Sequence, residues 1–336
     1  MNRPFYLIGR IIKMNYGELW RTVSLIHKKS GKGRLWLCRD IVACGLKYGA
    51  GYCDYRLNEF YTLTDAQRAT YVTRGINNKL VAMLNDKEYY GKIEDKTVFN
   101  TNFGDFIGRD WLDMNKASYE DFKKFMKDKP AVIAKPISAT CGQGVEKLNK
   151  TDFPSLSELY QHIKKTPDTL VEEYITQHPG MSVLYPHSVN TLRIVTVLTD
   201  SDPHAVYSYL RIGNGGHVVD NINAGGMTTP VDLDSGKLLY PAFDKNSILY
   251  DRHPLTGTEF VGFQIPFWKE SLALCKKAAL LVPQLGYIGW DVAVTEKGPT
   301  IIEANHFPGH DFLQMPPHVP DKIGMLPQFR KYVKGI

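Results

Sequence analysis

Two runs of strand-forming residues flank the turn-forming EKGP near the end of the chain, and together they predict a β-hairpin over GYIGWDVAVTEKGPTIIEANHFPG, residues 286–309. In the second run the pattern alternates, so Glu303 and Asn305 share one strand face while Ile302 and Ala304 face the other way. The turn folds Asp291 back towards them. These three side chains are hard oxygen ligands, and the set reads either as a magnesium site or as a solvated hairpin face.

Upstream, the pattern alternates between helical and strand-like periods. Thr64 and Gln67 stand at capping-box spacing before TDAQRATYVTRGINNKLVAMLND, which predicts a helix over about 65–85. Ser118 opens another in SYEDFKKFM, and Ser155 with Glu158 a third in SLSELYQHIKK. AVIAKPI (131–137) and TLVEEYI (169–175) read as short buried strands. VNTLRIVTVLT and AVYSYLRIG add more, and KESLALCKKAALLVPQLG makes a helix ended by Pro283 and Gly286. The rhythm is α+β without an internal repeat, and four segments follow from it: 1–62, 63–130, 131–178 and 179–330.

Charge changes this picture at one end. The net charge is +6, yet residues 1–50 hold ten Lys or Arg and two acids, so the remainder is slightly acidic. The basic, mainly helical first segment fits an amphipathic helix on anionic lipid, a nucleic-acid patch, or a lid whose cations face water. No zinc-finger or RRM signature accompanies the charge, which argues against nucleic acid. Across 336 residues, 43% hydrophobic and 23% charged content is that of a globular chain. With no apolar run of ~18 residues and no signal-peptide pattern, a cytoplasmic chain is expected, with membrane association left to the basic segment. The five cysteines lack CxxC or Cys/His clustering, which predicts reduced thiols and no zinc site.

Candidate chemistry lies between these elements. Lys135 ends the strand VIAK and precedes SATCGQGV, where Gly142 and Gly144 allow backbone N–H groups to turn towards an anion; a plain turn fits as well. The loop is neither a P-loop nor a GxGxxG turn. In LVEEYI, Glu172 is a candidate acceptor for an adenine amino group, and the backbone of Glu173 to Ile175 for the ring edge, with Ile133 and Ile175 as apolar walls. An exposed strand end reads the same way. Arg193 and Arg211 sit among apolar neighbours, where an arginine must reach solvent or bind an anion; Asn221 and Gly225-Gly226 follow. Together these are candidates for holding a transferring phosphoryl group, or for ordinary salt-bridging and turn roles. His306, His310 and His318 are the histidines near the hairpin, with His310 and Asp311 as candidate substrate contacts.

Taken in order, NNKLVAML, VIAKP with its glycine loop, LVEEYI and GWDVAV…IIEANHFPG resemble the ATP-grasp superfamily over about 76–310. The closing hairpin is similar to that of D-alanine:D-alanine ligase, and SVNTLRIVTV with YLRIGNGGHVVDNINAGGM looks most like the sugar-transfer-associated members. The resemblance implies two α+β subdomains gripping ATP, with 131–178 as the smaller lid and 179–330 carrying the metals. It places Lys79 and Lys135 on the ATP phosphates, Glu172 on adenine, and Asp291, Glu303 and Asn305 on two magnesium ions. Arg211, with Arg193 and Asn221, falls near the reacting group. Two positions depart from the ligases. Their ribose-binding acid falls at Pro179, leaving Ser188, Asn190 or a backbone group, and the arginine two residues before the metal aspartate falls at Gly289, so that Arg211 or Arg193 must supply its charge. The implied activity is a carboxylate–amine ligase in cell-surface glycan biosynthesis, acting through an acylphosphate on small-molecule or glycan-precursor substrates. A sugar or polyol kinase and a non-catalytic ATP-binding module of a glycan assembly complex are the alternatives.

Overall fold

The computed structural model describes residues 15–138, 143–216, 220–222, 225–311 and 313–336. The chain divides into two compact units, one running to Met83 and completed by Gly309–Ile336, the other spanning Leu84–Pro308. This division differs from the four expected segments, because the final residues return to the N-terminal helices.

The first unit is helical: α1 (Tyr16–Ser30), α2 (Arg34–Tyr48), α3 (Tyr52–Leu57) and α4 (Arg74–Leu84). Asn15 caps α1 by accepting from the Glu18 N–H at 3.0 Å, and Gly31 ends it in the left-handed region. Val23, Ile26, Leu37, Ile41, Tyr55 and Phe60 form its core. Arg68 binds Asp40 through two nitrogens, at 2.9 and 2.7 Å. The Thr64–Gln67 capping box is present, but its helix lasts only over Asp65–Arg68. The periodic pattern of 65–85 is interrupted because the Val72 backbone pairs with a side chain instead of with a helical neighbour. The Gln314 carboxamide accepts from Val72 N–H and donates to Val72 C=O, both at 2.8 Å.

The second unit carries α5 (Lys96–Asn102) near its start and builds two antiparallel sheets. Strands β1 (Trp111–Asp113), β2 (Ala131–Pro136), β3 (Glu146–Asn149) and β4 (Thr169–Glu173) form one in the order β1-β4-β2-β3. Helices α6 (Tyr119–Phe125) and α7 (Leu156–Lys164) cover one face, burying Phe122, Leu159 and Ile163 against Val132, Leu148 and Val171. Ser118 and Ser155 cap them, accepting from the Asp121 and Glu158 N–H groups. The larger sheet takes β5 (Leu192–Thr199), β6 (Asp202–Ile212), β7 (Met227–Pro230), β8 (Ala242–Phe243), β9 (Leu249–Tyr250), β10 (Tyr287–Thr295) and β11 (Gly298–Asn305). Its order is β11-β10-β5-β6-β7-β8-β9. Helix α8 (Trp268–Ala279) packs on it through Cys275 and Ala278, in a core shared with Ile194, Leu210 and Trp290. This helix stops before Pro283, with Leu280 already capping it. Among the described residues no helix is long and apolar enough to cross a membrane.

Candidate functional site

In the second unit a cleft is lined from one side by β2 and β4 and from the other by β6, β10 and β11. The predicted hairpin is β10–β11. Asp291 pairs with Glu303 across it and with Arg193 of β5 on its other side, which collects three charged side chains at one level of the sheet. A bulge after Asp291 leaves Ile302 out of the pairing, since Val292 next meets Ile301.

Asp291 is fully buried. Arg193 donates to both its oxygens through Nε and Nη2, and Arg211 Nη2 adds a bond of 2.6 Å to Oδ2. Burial works to raise the Asp291 carboxyl, but Arg193 and then Arg211 outweigh it and hold it at about 2. Glu303 goes the other way: burial, and next the Asp291 charge with a hydrogen bond between the two, push its carboxyl above the usual range. Gly289 explains how Arg193 reaches this position. A Cβ on Gly289 would stand 3.0 Å from Arg193 Cδ, so the strand beside the arginine has to be bare. The departure at Gly289 thus matches an arginine supplied by the neighbouring strand.

The opposite wall carries a second charge cluster. Glu172 accepts from Arg109 Nε at 2.9 Å and Nη2 at 3.0 Å, from Asn100 Nδ2 at 2.8 Å, and from Lys135 Nζ at 2.7 Å. Burial would raise its carboxyl, yet Arg109 and Lys135 hold it well below the usual carboxylate range. Lys96, the first residue of α5, also lines the cleft and donates to the Ile137 carbonyl at 3.0 Å. Burial, with the nearby Lys135 charge, lowers its ammonium below the ordinary lysine value. A cleft walled by Lys96 and Lys135 over one sheet and by Asp291, Glu303 and Arg211 over the other accommodates a polyphosphate beside acidic groups.

Residues 67–320 match the family described as sugar-transfer associated ATP-grasp. The chain belongs to this family. Similar solved structures include the ATP-grasp ligase PsnB complexed with minimal precursor, at 15% identity and TM-score 0.43, covering 73% of this chain and 63% of that one. D-alanyl-alanine synthetase A from Vibrio cholerae O1 biovar eltor is 12% identical at TM-score 0.41, covering 71% and 60%. An L-amino acid ligase from Bacillus licheniformis is also 12% identical, with TM-score 0.41 and coverages of 72% and 48%. The chain therefore spans less than two thirds of each of these proteins. No curated protein matches.

Within the ATP-grasp cleft stand Lys135, Glu172, Glu173, Ile175, Arg211, Asn221, Asp291 and Glu303. Glu172, expected on adenine, has its oxygens engaged by Arg109, Asn100 and Lys135. Glu173 donates its backbone N–H to the Asp110 carbonyl at 2.9 Å. Gly144 takes φ 69° and lies so close to Pro136 that a Cβ would meet its ring at 2.9 Å. Gly142 lies outside the described residues.

Two expected contacts lie elsewhere. Lys79 is an exposed residue of α4 in the other unit, and its ammonium donates to the Gly335 carbonyl at 2.6 Å. Asn190 is fully buried and spent on the backbone: its amide donates to the Met181 and Tyr185 carbonyls at 3.0 and 2.9 Å, while its oxygen accepts from Gly213 N–H. His310 is buried in the first unit, its Nε2 3.3 Å from Asp54 and 3.4 Å from Asp311. His306 stacks on Tyr90 and meets Glu94 at 2.7 Å.

Lys96, Arg109 and Asn100 were not singled out from sequence. For Lys96 a signal existed: a cation at the first position of a helix opposes the helix dipole, so it needs a reason to be there. Arg109 and Asn100 carry no such mark.

The hairpin residues fit magnesium on their own chemistry. Two buried carboxylates face each other across the hairpin and share a hydrogen bond, with one pushed towards protonation. Oxygen donors that crowd in this way are relieved by a small divalent cation.

Proposed function

We propose that this chain is an ATP-dependent carboxylate–amine ligase that works with magnesium. The observation that supports it is the meeting, in one cleft, of the Lys96–Lys135 wall with the Asp291–Glu303 pair and Arg211. Adenine lies against Ile133 and Ile302, with its polar edge on the backbone of Glu173 to Ile175. Lys96 and Lys135 hold the phosphates, and Glu172 fixes Lys135 in place. Asp291, Glu303 and Asn305 hold magnesium, which supplies neutralisation of phosphate charge when bound.

A substrate carboxylate oxygen attacks the γ-phosphorus, and the bond from that phosphorus to the bridging oxygen breaks, releasing ADP. Arg211, the more open of the two arginines, faces the charge that develops on the moving group. An amine nitrogen then attacks the acyl carbon, the carbon–oxygen bond to phosphate breaks, and the nitrogen loses a proton to solvent. The products are an amide, ADP and inorganic phosphate. Positioning and charge suffice for this route, and no side chain is needed as a nucleophile. The family context favours a glycan precursor, such as a uronic acid joined to an amino acid or amino sugar.

The test is ADP release over a matrix of uronic acids, amino acids and amino sugars, with mass spectrometry of the product. ADP and phosphate should appear together only when carboxylate and amine are both present. A stable phosphate ester would identify a kinase, and ATP binding without turnover a non-catalytic module; either would overturn the ligase reading.

A further inference from the structure

Helix α2 has two apolar stripes and covers one of them. At about 100° per residue, Leu37, Ile41, Cys44 and Tyr48 fall on one face, which packs into the core of the first unit. Leu35, Trp36, Arg39, Ala43 and Leu46 fall within an arc of about 100° on the other face. That second stripe is bare: Leu35 is 79% exposed, Trp36 45% and Leu46 38%. An amphipathic helix that serves only its own core has no use for it.

The charge around the stripe is mostly basic, although Lys29 and Lys47 are paired with Glu59 and Asp65. Between Tyr16 and Tyr48 there are seven Lys or Arg and two acids. Both acids are engaged locally, Glu18 by Arg21 and Asp40 by Arg68. Lys32 holds its ammonium 4.5 Å from the centre of the Trp36 ring, and Arg39 lies within the stripe without an ion-pair partner among the described residues. Aromatic and aliphatic groups flanked by unmatched cations are suited to the boundary between acyl chains and anionic headgroups. A protein partner would require an acidic rim around an apolar groove; a lipid surface offers both layers without further design.

We propose that α2 lays its outer stripe on an anionic membrane surface, with Leu35, Trp36 and Leu46 at the acyl boundary and Lys32 and Arg39 among the headgroups. The chain is held peripherally. One helix face of this size gives reversible binding, strengthened by each cation near the surface.

The test is sedimentation of the full chain with vesicles of phosphatidylcholine alone or mixed with phosphatidylglycerol. Binding should require phosphatidylglycerol and fall as salt rises. The exposed double variant L35S/W36S should lower the partition coefficient by about 10-fold or more. K32A and R39A should each lower it about fivefold. Circular dichroism of each variant should match the parent, because none of these side chains lies in the core. Equal sedimentation with both vesicle types, or L35S/W36S binding as the parent does, overturns the proposal. So does a concentration-dependent dimer that L35S/W36S abolishes, since the stripe would then be covered by a second copy. These readouts use no ATP turnover, so they stand or fall apart from the ligase assignment.

Discussion

Each wall of the cleft has a buried charge cluster, but the two are finished to different degrees. On the four-stranded sheet a single carboxylate, Glu172, receives Arg109, Asn100 and Lys135. On the seven-stranded sheet two carboxylates share two arginines, and both arginines go to Asp291. Burial, and next the Asp291 charge, push the Glu303 carboxyl above its usual range. A buried network whose charges are all matched has its work inside the protein, even though the Asn100 Oδ1 here has no partner. One with acceptors crowded together has capacity left for something brought from outside. On the proposed reading, the first cluster orients a lysine and the second holds a cation.

This contrast is broken most directly at Glu303. E303Q removes a charge that burial already disfavours, so the melting temperature should hold or rise slightly while ADP release falls on the order of 10³-fold. Loss of folding together with activity would mean that the second cluster is as structural as the first. E172Q should do the reverse, costing about 3–5 kcal/mol of stability because Arg109 stays buried beside a neutral partner. Chemical denaturation measures this. The same group has a pH signature: its folded pKa is depressed, so its contribution is fully present above the unfolded carboxylate value and is lost as pH falls towards the folded one. Acid titration of the melting temperature should show a limb that E172Q flattens.

R211K should lower kcat by about 10²-fold with little change in stability, since a lysine keeps the charge but not the planar fork. If R211K were fully active, the reacting group would not lie on that side. The smallest effects separate the two lysines. K96A should raise the KM for ATP by about 10-fold, whereas K79A should leave it unchanged and alter stability by less than about 0.5 kcal/mol. An ATP titration of ADP release reads both, and a K79A defect matching that of K96A would return Lys79 to the nucleotide.

What was legible in the sequence follows from range. The hairpin with Asp291 and Glu303, the strand ending at Lys135 and the serine caps are local patterns, set by alternation and by spacings of three or four residues. Glu172 was legible, but its partner Arg109 was not, because Arg109 lies 63 residues away. Asn190 looked like a ribose contact, yet its bonds close a loop of backbone carbonyls that sequence spacing does not reveal. The helix over 65–85 failed at Val72 for the same reason, its competitor being Gln314, 242 positions downstream. The arginine supply at Asp291 was legible in part, since a glycine where the ligases carry arginine pointed to a neighbouring strand.

The Gln314 carboxamide, which imitates a strand for Val72 and also accepts from Met325 N–H at 2.9 Å, sets an order of events during synthesis. The helices before Leu84 are made ahead of the second unit, but the residues that finish their unit are made after it. Everything from Leu84 to Pro308 can fold as it emerges, while the earlier helices wait with an open seam. Until Gly309–Ile336 has been made, the helical unit therefore lacks the residues that close it.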